Sequence, residues 1–432
     1  MPVTGYDQIE HASLTDVGIR RSHNQDAHAA LLASDAQQWE KRGHVFLVAD
    51  GMGAHAVGEL ASELAAGIIP HAYHKYSDEE DSGQALRKAF VEANGSIHAR
   101  GQQNREFAGM GTTASALLIR PEGAWIAHVG DSRVYRIRRG HIEQLSYDHS
   151  LAWELARRKG VQPDGLEGVP SNVIVRSLGP EPLVQVDIEG PHVLREGDTF
   201  VICSDGLSGT LSDLEIGSIA SALPPAEACQ FLVAMANLRG GPDNITVIVI
   251  RIGAAHTDPT PEPAPDQSWY QRTTWPVIAL VLGVLLAAGA VNVSATQFGW
   301  GMVVFVLAAA SLVIGLAGLV FHYRQEHKSA EESGPRRVNI YRRSTCQIER
   351  RFLDKLARLE NALIQTVRER CPDMDWATHQ YHHALSERQR AANDMVGACR
   401  ESCRAILPLT EALHAQYNKS ESFQPMWEKT EK

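Results

Sequence analysis

An α/β domain, a pair of membrane helices and a small helical domain are what this 432-residue sequence predicts, in that order. Three observations lead there. Residues 1–252 alternate Val-, Ile- and Phe-rich strands with helical stretches, and several of those strands adjoin an aspartate. Two runs without a formal charge follow at 275–295 and 299–321, each long enough for a bilayer crossing of roughly 20 apolar residues. The remainder repeats apolar residues at three- and four-residue spacing, as an amphipathic helix does.

Within the first region, "HVFLVAD" ends at Asp50, "AWIAHVGDSR" reaches Asp131, "TFVICSD" ends at Asp205, and "PDNITVIVIRI" starts its strand just after Asp243. Asp26, in "RRSHNQDAH", precedes another expected strand. One Asp-Gly is usually a turn. Four strand-end aspartates in one domain are harder to read that way, because converging carboxylates repel unless a hard divalent cation such as Mg²⁺ or Mn²⁺ sits among them. Gly51 and Gly206 follow two of these acids and would let backbone approach an ion or phosphate without a Cβ. Arg20 and Arg21, just before Asp26, are of the type that grips phosphate.

Composition excludes some partners. Lys and Arg number 41 against 51 Asp and Glu, a net charge of -10, so no basic field points to nucleic acid. Six scattered cysteines do not make a disulfide framework and suit a reducing compartment; Cys203, inside an apolar strand, reads as core. The amino-terminal stretch has neither the basic start nor the apolar run of a signal peptide.

The ordered blocks "TDVGIRRSHNQD", "VADGMGAHAVGELAS", "GMGTTASALL", "VGDSRVYRIRRGHIEQLSYDHS", "NVIVRSLG", "CSDGLSG" and "GPDNITVIVI" resemble the bacterial branch of the metal-dependent protein phosphatases (PPM, type 2C) over about residues 10–252. The resemblance implies a four-layer αββα sandwich, two antiparallel sheets flanked by helices, with metals in a cleft at one edge. It implies hydrolysis of phosphoserine and phosphothreonine on cytoplasmic proteins by a water activated between two Mn²⁺ or Mg²⁺ ions. Carried over by residue, Asp50 would bridge the two ions, the Gly51 carbonyl would hold one, and Asp205 and Asp243 would complete the other site. Asp26 would hold the water network, Asp131 a third ion, and Arg21, rather than Arg20, the phosphate. Arg21, Asp26 and Asp50 are thus the expected catalytic residues. The segment 151–177 corresponds to the variable flap, and its "KGVQPDGLEGVP" is rich in turn formers. Met52 stands where eukaryotic members often carry a proton-donating histidine, with His55 a nearby alternative; Gln25 stands where some relatives have glutamate. A catalytically silent phosphoprotein-binding module or scaffold on the same fold would have lost metal acids, and none of the core acids is missing.

The rest of the chain is expected as a Pro-rich linker (253–274), a transmembrane hairpin (275–321), a basic linker (322–345) and a helical domain (346–432). Arg272 on one side of the hairpin and Arg324, Lys328, Arg336, Arg337, Arg342 and Arg343 on the other place both flanks on the cytoplasmic side of the inner membrane, making a multi-pass protein with both domains cytoplasmic. Ile348, Phe352, Leu356, Leu359, Leu363 and Val367 form one helix stripe that Pro372 ends, with Asp375 capping the next helix. A small bundle is expected there, able to self-associate or bind a protein partner. A metal site from His379, His382, His383, Cys399 and Cys403 is the alternative, weakened by loose ligand spacing. Phosphorylated proteins, notably those of a Ser/Thr kinase, are the expected substrates.

Overall fold

Strand alternation with a period of two sorts the core of the amino-terminal region. In β3 (His44–Met52), Val45, Leu47 and Ala49 face one apolar cluster, whereas Phe46 and Val48 face another. β10 (Thr199–Cys203) and β11 (Ile245–Ile252) divide in the same way: Phe200, Ile202, Ile248 and Ile250 join the cluster of Phe46, and Val201, Cys203, Val247 and Val249 face a third. A strand with two buried faces belongs between two layers, and three clusters separate four layers.

The computed structural model describes residues 8–53, 56–163, 166, 168–170, 173–253, 306, 309–310 and 340–420. The chain splits into two units, Met1–Thr257 with Arg337–Lys432, and Asp258–Arg336. In the first unit, one antiparallel sheet has the order β1-β11-β10-β7-β8-β12, with β1 Ile9–Asp16, β7 Arg133–Arg138, β8 His141–Gln144 and β12 Arg342–Thr345. The other runs β2-β3-β5-β6-β9, with β2 Asp26–Leu31, β5 Ala114–Arg120, β6 Gly123–Val129 and β9 Asp187–His192; β4 (Gly111–Thr112) pairs the end of β3. α2 (Ala56–Tyr76) and α3 (Ser82–Gln103) cover the outer face of the second sheet through Ala61, Ile69, Leu86 and Phe90. α6 (Asp213–Ala222) and α7 (Pro225–Leu238) cover the first through Ile216, Ile219, Phe231 and Leu232. Shorter helices are α1 (Ala36–Lys41), α4 (Leu151–Lys159) and α5 (Asp205–Ser208). The αββα arrangement expected from the resemblance is present.

Two expectations need correction. Among the described residues no helix is long and apolar enough to cross a membrane. The two transmembrane helices of the expected fold, and the multi-pass inner-membrane location drawn from them, are therefore not supported. The spans 275–295 and 299–321 lie outside the described residues apart from residues 306, 309 and 310. A crossing needs roughly 20 residues of continuous apolar helix. The long described helices instead carry charge at short intervals, as with Arg400, Glu401, Arg404 and Glu411 in one of them.

The carboxy-terminal helices are α8 (Arg350–Arg370), α9 (Ala377–Ala391) and α10 (Met395–Ser420). The stripe of α8 is buried at Phe352, Leu356, Leu363 and Val367, and Asp375 accepts from the Ala377 amide at 2.9 Å just before α9. Asn393, with φ 63°, turns the chain between α9 and α10. The apolar faces of α8 and α10 share one cluster with α6 and α7, so these helices form an additional layer on the phosphatase-like sandwich. β12 zips onto β8 ahead of them, and Cys346 packs on Gly217, where a Cβ would come within 2.6 Å. Arg404 pairs with Glu227 of α7 at 2.7 Å, and the Arg400 guanidinium donates to the Ala222 carbonyl at 2.8 Å.

Glu215 is the polar centre of this junction. It caps α6 by accepting from Ser212 (amide 3.0 Å, hydroxyl 2.8 Å), and it binds Arg239 at the end of α7 and Lys355 of α8 at 2.5 and 2.6 Å. Burial alone would raise its carboxyl, but the bonds from Arg239 and Lys355 hold it down to about 2. Glu215→Ala is expected to cost about 2 kcal/mol of unfolding free energy by urea denaturation, combining a lost cap with charge-assisted bonds to half-exposed partners. A cost below about 0.5 kcal/mol would show that the junction does not depend on it.

Candidate active site

The alternation that fills the space between the sheets also aims the acids. Asp50 follows Phe46 and Val48 on the same face of β3, so its carboxylate emerges where the inter-sheet core reaches its edge. Asp26 is its direct partner in the β2–β3 register. After Phe200 and Ile202 the next residue on that face is Ser204, whose hydroxyl donates to Asp26 Oδ2 at 2.7 Å. Asp205 opens α5 immediately behind it, and Asp243 lies just before β11. Asp131 sits on the link from β6 to β7, where the chain crosses from one sheet to the other.

These carboxylates act on one another's charge. Burial, then the charges of Asp26, Asp205, Asp131 and Asp243, push the Asp50 carboxyl well above its ordinary range. Asp26 is pushed up to about 7 by burial and by Asp205 and Asp243, against the hydrogen bonds from Ser204 and Thr246. Asp131 is pushed up to about 8 by burial and then Asp205. Asp205 is raised by burial and then Asp243. Three oxygens here, Oδ1 of Asp26, Asp131 and Asp205, are buried without a hydrogen-bond partner. Orphaned carboxylate oxygens in a mutually repelling cluster are costly, and hard divalent cations are what such an oxygen-only donor set accommodates.

Arg21 lies at the rim, donating from Nη2 to Asp243 Oδ2 at 2.7 Å with its side chain about half exposed. The Arg20 amide is tied to the Gly241 carbonyl at 3.1 Å, and its guanidinium lies beside Gly240. The glycines have a tighter reason than ligand approach alone. A Cβ on Gly51 would sit 2.1 Å from the Gly58 carbonyl oxygen and 2.6 Å from that of Gln25. One on Gly206 would sit 1.9 Å from the Asn244 carbonyl oxygen. The Gln25 carbonyl accepts from the Gly51 amide at 3.0 Å and the Ser62 hydroxyl at 2.6 Å, and its side-chain amide donates to the Gly53 carbonyl at 3.3 Å. Met52 ends β3, opposite Gly111; His55 lies outside the described residues. The flap region begins with α4, capped by Ser150 and closed by Gly160 at φ 67°. Residues 164–165, 167 and 171–172 of the flap are outside the described set.

Sequence reasoning missed the residues that hold the acids in place. Asn244 accepts from the Gln25 amide at 2.8 Å and donates to the Val17 and His23 carbonyls at 2.9 Å, fastening the loop of Arg21 and Asp26 to the start of β11. Thr112 and Thr113 clamp Asp50: the Thr112 hydroxyl and Thr113 amide donate to its carbonyl at 2.9 and 2.8 Å, and its amide donates to Thr113 Oγ1 at 2.9 Å. Behind Asp131, Arg133 forms a bidentate pair with buried Asp148, while the Gly130 amide donates to His149 Nδ1 at 3.0 Å. The signal for Asn244 and the threonines was their adjacency to a key acid or its partner strand, in "PDN" and "GTT".

An αββα sandwich with an acid cluster at the inter-sheet edge and an arginine on its rim is the architecture of a metal-dependent phosphate-ester hydrolase. The sequence matches the protein phosphatase 2C family over residues 11–157. It is 36% identical over 249 residues to protein phosphatase PhpP of Streptococcus pneumoniae, covering 56% of this chain and 97% of that one. Against the serine/threonine phosphatase stp of Listeria monocytogenes it is 34% identical over 241 residues, covering 55% and 93%. The crystal structure of the Mycobacterium tuberculosis serine/threonine phosphatase PstP is similar at 30% identity and a TM-score of 0.51, covering 57% of this chain and 99% of that one. The chain belongs to the protein phosphatase 2C family, and it is a protein serine/threonine phosphatase.

Proposed function

We propose that Asp50, Gly51, Asp205 and Asp243 hold two Mn²⁺ or Mg²⁺ ions, that Asp131 holds a further one, and that Arg21 binds the substrate phosphate. The observation that carries this reading is the convergence of five carboxylates, three of them with a buried orphan oxygen, at one end of the inter-sheet core. When bound, such ions acidify water and offset charge on a phosphoryl group. The chain's own contributions can be derived from its contacts. Asp50 is fixed at its backbone by Thr112 and Thr113, so its carboxylate has little freedom to recoil from its neighbours. Asp26, oriented by Ser204, stands across from it to hold the attacking water and accept its proton. Arg21, at the rim beside Asp243, would grip the non-bridging phosphate oxygens with its planar fork and so orient the phosphoryl group.

Phosphate release from a phosphothreonine peptide by the full chain is therefore expected to require Mn²⁺ or Mg²⁺ and to stop on chelation. Arg21→Ala is expected to raise KM about 10-fold or more, in keeping with the loss of one charge-assisted contact. Turnover in excess chelator, or an unchanged KM in Arg21→Ala, would refute these assignments. The substrates are phosphorylated proteins. Those of a Ser/Thr kinase are the finer proposal, and a kinase encoded beside this gene would support it. Self-association through the carboxy-terminal helices would have to use their outer faces, because Phe352, Leu356, Cys403 and Ile406 are spent inward. Light scattering of the full chain distinguishes monomer from dimer.

A further inference from the structure

Far from the acid cluster in sequence, α8 and α9 bring two histidines onto one carboxylate. Glu360 Oε1 lies 3.0 Å from His379 Nε2 and 2.8 Å from His383 Nδ1. The three candidate ligand atoms all fall within 4.8 Å of one another. His379 and His383 are one helical turn apart, and their rings stack at 5.8 Å and 16°. Four-coordinate Zn²⁺ with ligands at about 2.0–2.2 Å keeps neighbouring ligand atoms about 3.3–3.5 Å apart, so the two separations from Glu360 need only small adjustment. We propose that Glu360, His379 and His383 form a transition-metal site for Zn²⁺, with the remaining coordination position open on the solvent side beside half-exposed His383.

Two further observations support a cation here. Glu360 is 5% exposed, and among the described residues its ion-pair partners are these histidines and no lysine or arginine. A buried carboxylate without a lysine or arginine beside it lacks a fixed compensating charge, and a divalent ion supplies one. Moreover, α9 buries only His379 and Ser386. It is seated by polar contacts, His382 on Glu401 at 2.6 Å and Ser386 on Ser402 at 2.7 Å, rather than by an apolar stripe. An ion between α8 and α9 would staple a helix that has little hydrophobic anchorage of its own. The imidazole donors set this site apart from the oxygen-only cluster between the sheets, which suits Mn²⁺ or Mg²⁺. Cys399 and Cys403, grouped with these histidines on sequence alone, are buried in the apolar cluster of α8 and α10.

The test uses the full chain, stripped of metal and then held in excess Mg²⁺ to satisfy the acid cluster, with Co²⁺ as the spectroscopic probe. One equivalent of Co²⁺ is expected to bind with the visible bands of a four-coordinate site, to be displaced by Zn²⁺, and to slow proteolysis within α9. His383→Ala, a substitution at an exposed position, is expected to weaken binding by more than the roughly 100-fold that loss of an outer-shell partner can cost. It should leave Mg²⁺-dependent phosphatase activity unchanged. Glu360→Gln, which keeps the shape of the side chain, is expected to weaken binding similarly. Absence of the bands in the wild-type chain, or bands that persist in both variants, would overturn the proposal.

Discussion

Asp50→Asn is expected to lower phosphate release by about 10³-fold or more while the fold persists and, in the metal-free form, gains stability. The two effects have one origin. In the proposed site Asp50 would hold the ions, and the amide that replaces its carboxylate is a poor ligand for a hard cation. A loss of three decades corresponds to about 4 kcal/mol of transition-state stabilisation, within the several kcal/mol that metal-assisted charge neutralisation supplies. The backbone clamps from Thr112 and Thr113 do not involve the side chain and survive the substitution. Removing one charge from among Asp26, Asp131, Asp205 and Asp243 relieves the repulsion that raises the Asp50 carboxyl. Metal-free Asp50→Asn should thus melt above the metal-free wild type at pH 8, although it is inactive. Retained activity, or a lower melting temperature without metal, would contradict this account of Asp50.

The second large effect is a reversal of the usual pH dependence in the metal-free protein. Carboxyls that titrate at about 7 in Asp26 and about 8 in Asp131, against 3.8 for an unperturbed aspartate, bind more protons in the folded than in the unfolded chain between those values. Stability from this cluster is therefore full below pH 4 and falls as pH rises through 7 to 8. The loss between pH 5.5 and 8 is expected to be on the order of several kcal/mol, since each tenfold difference in proton affinity between folded and unfolded chain corresponds to about 1.4 kcal/mol. Mn²⁺ competes with those same protons. Its stabilisation, which grows as RT ln(1 + [L]/Kd), should be small at pH 5.5 and large at pH 8. Differential scanning fluorimetry at both pH values, with chelator and with Mn²⁺, reads both slopes. A Mn²⁺ effect that is equal at the two pH values, or larger at pH 5.5, would argue against an acid cluster that exchanges protons for metal.

How much of this was legible beforehand differs from element to element. Asp50, Asp131, Asp205 and Asp243 could be read because each adjoins a strand whose burial on both faces shows in its composition, and period-two alternation then fixes where Asp50 points. The roles of Ser204 and Asn244 could not, because their partners, Asp26 and the loop 17–25, are far away in sequence, and adjacency to an aspartate marks such a residue without saying what it holds. The spacing of α8 was evident in the stripe from Ile348 to Val367, but not its destination. Docking on α6 and α7 depends on long-range fits such as Cys346 against Gly217 and Lys355 against Glu215. Glu360 was overlooked for the same reason, since only the neighbouring helix reveals what it faces. The membrane hairpin is the reverse case: hydropathy alone suggested spans, and the described helices provide none.

The central claim is that the five acids form one metal centre. Crystals of the full chain soaked in Mn²⁺ and measured at the manganese absorption edge test it most directly. At least two anomalous peaks are expected among Asp26, Asp50, Asp205 and Asp243, with a further one beside Asp131. An active protein whose manganese peaks lie elsewhere, or none at this edge of the sandwich, would contradict it.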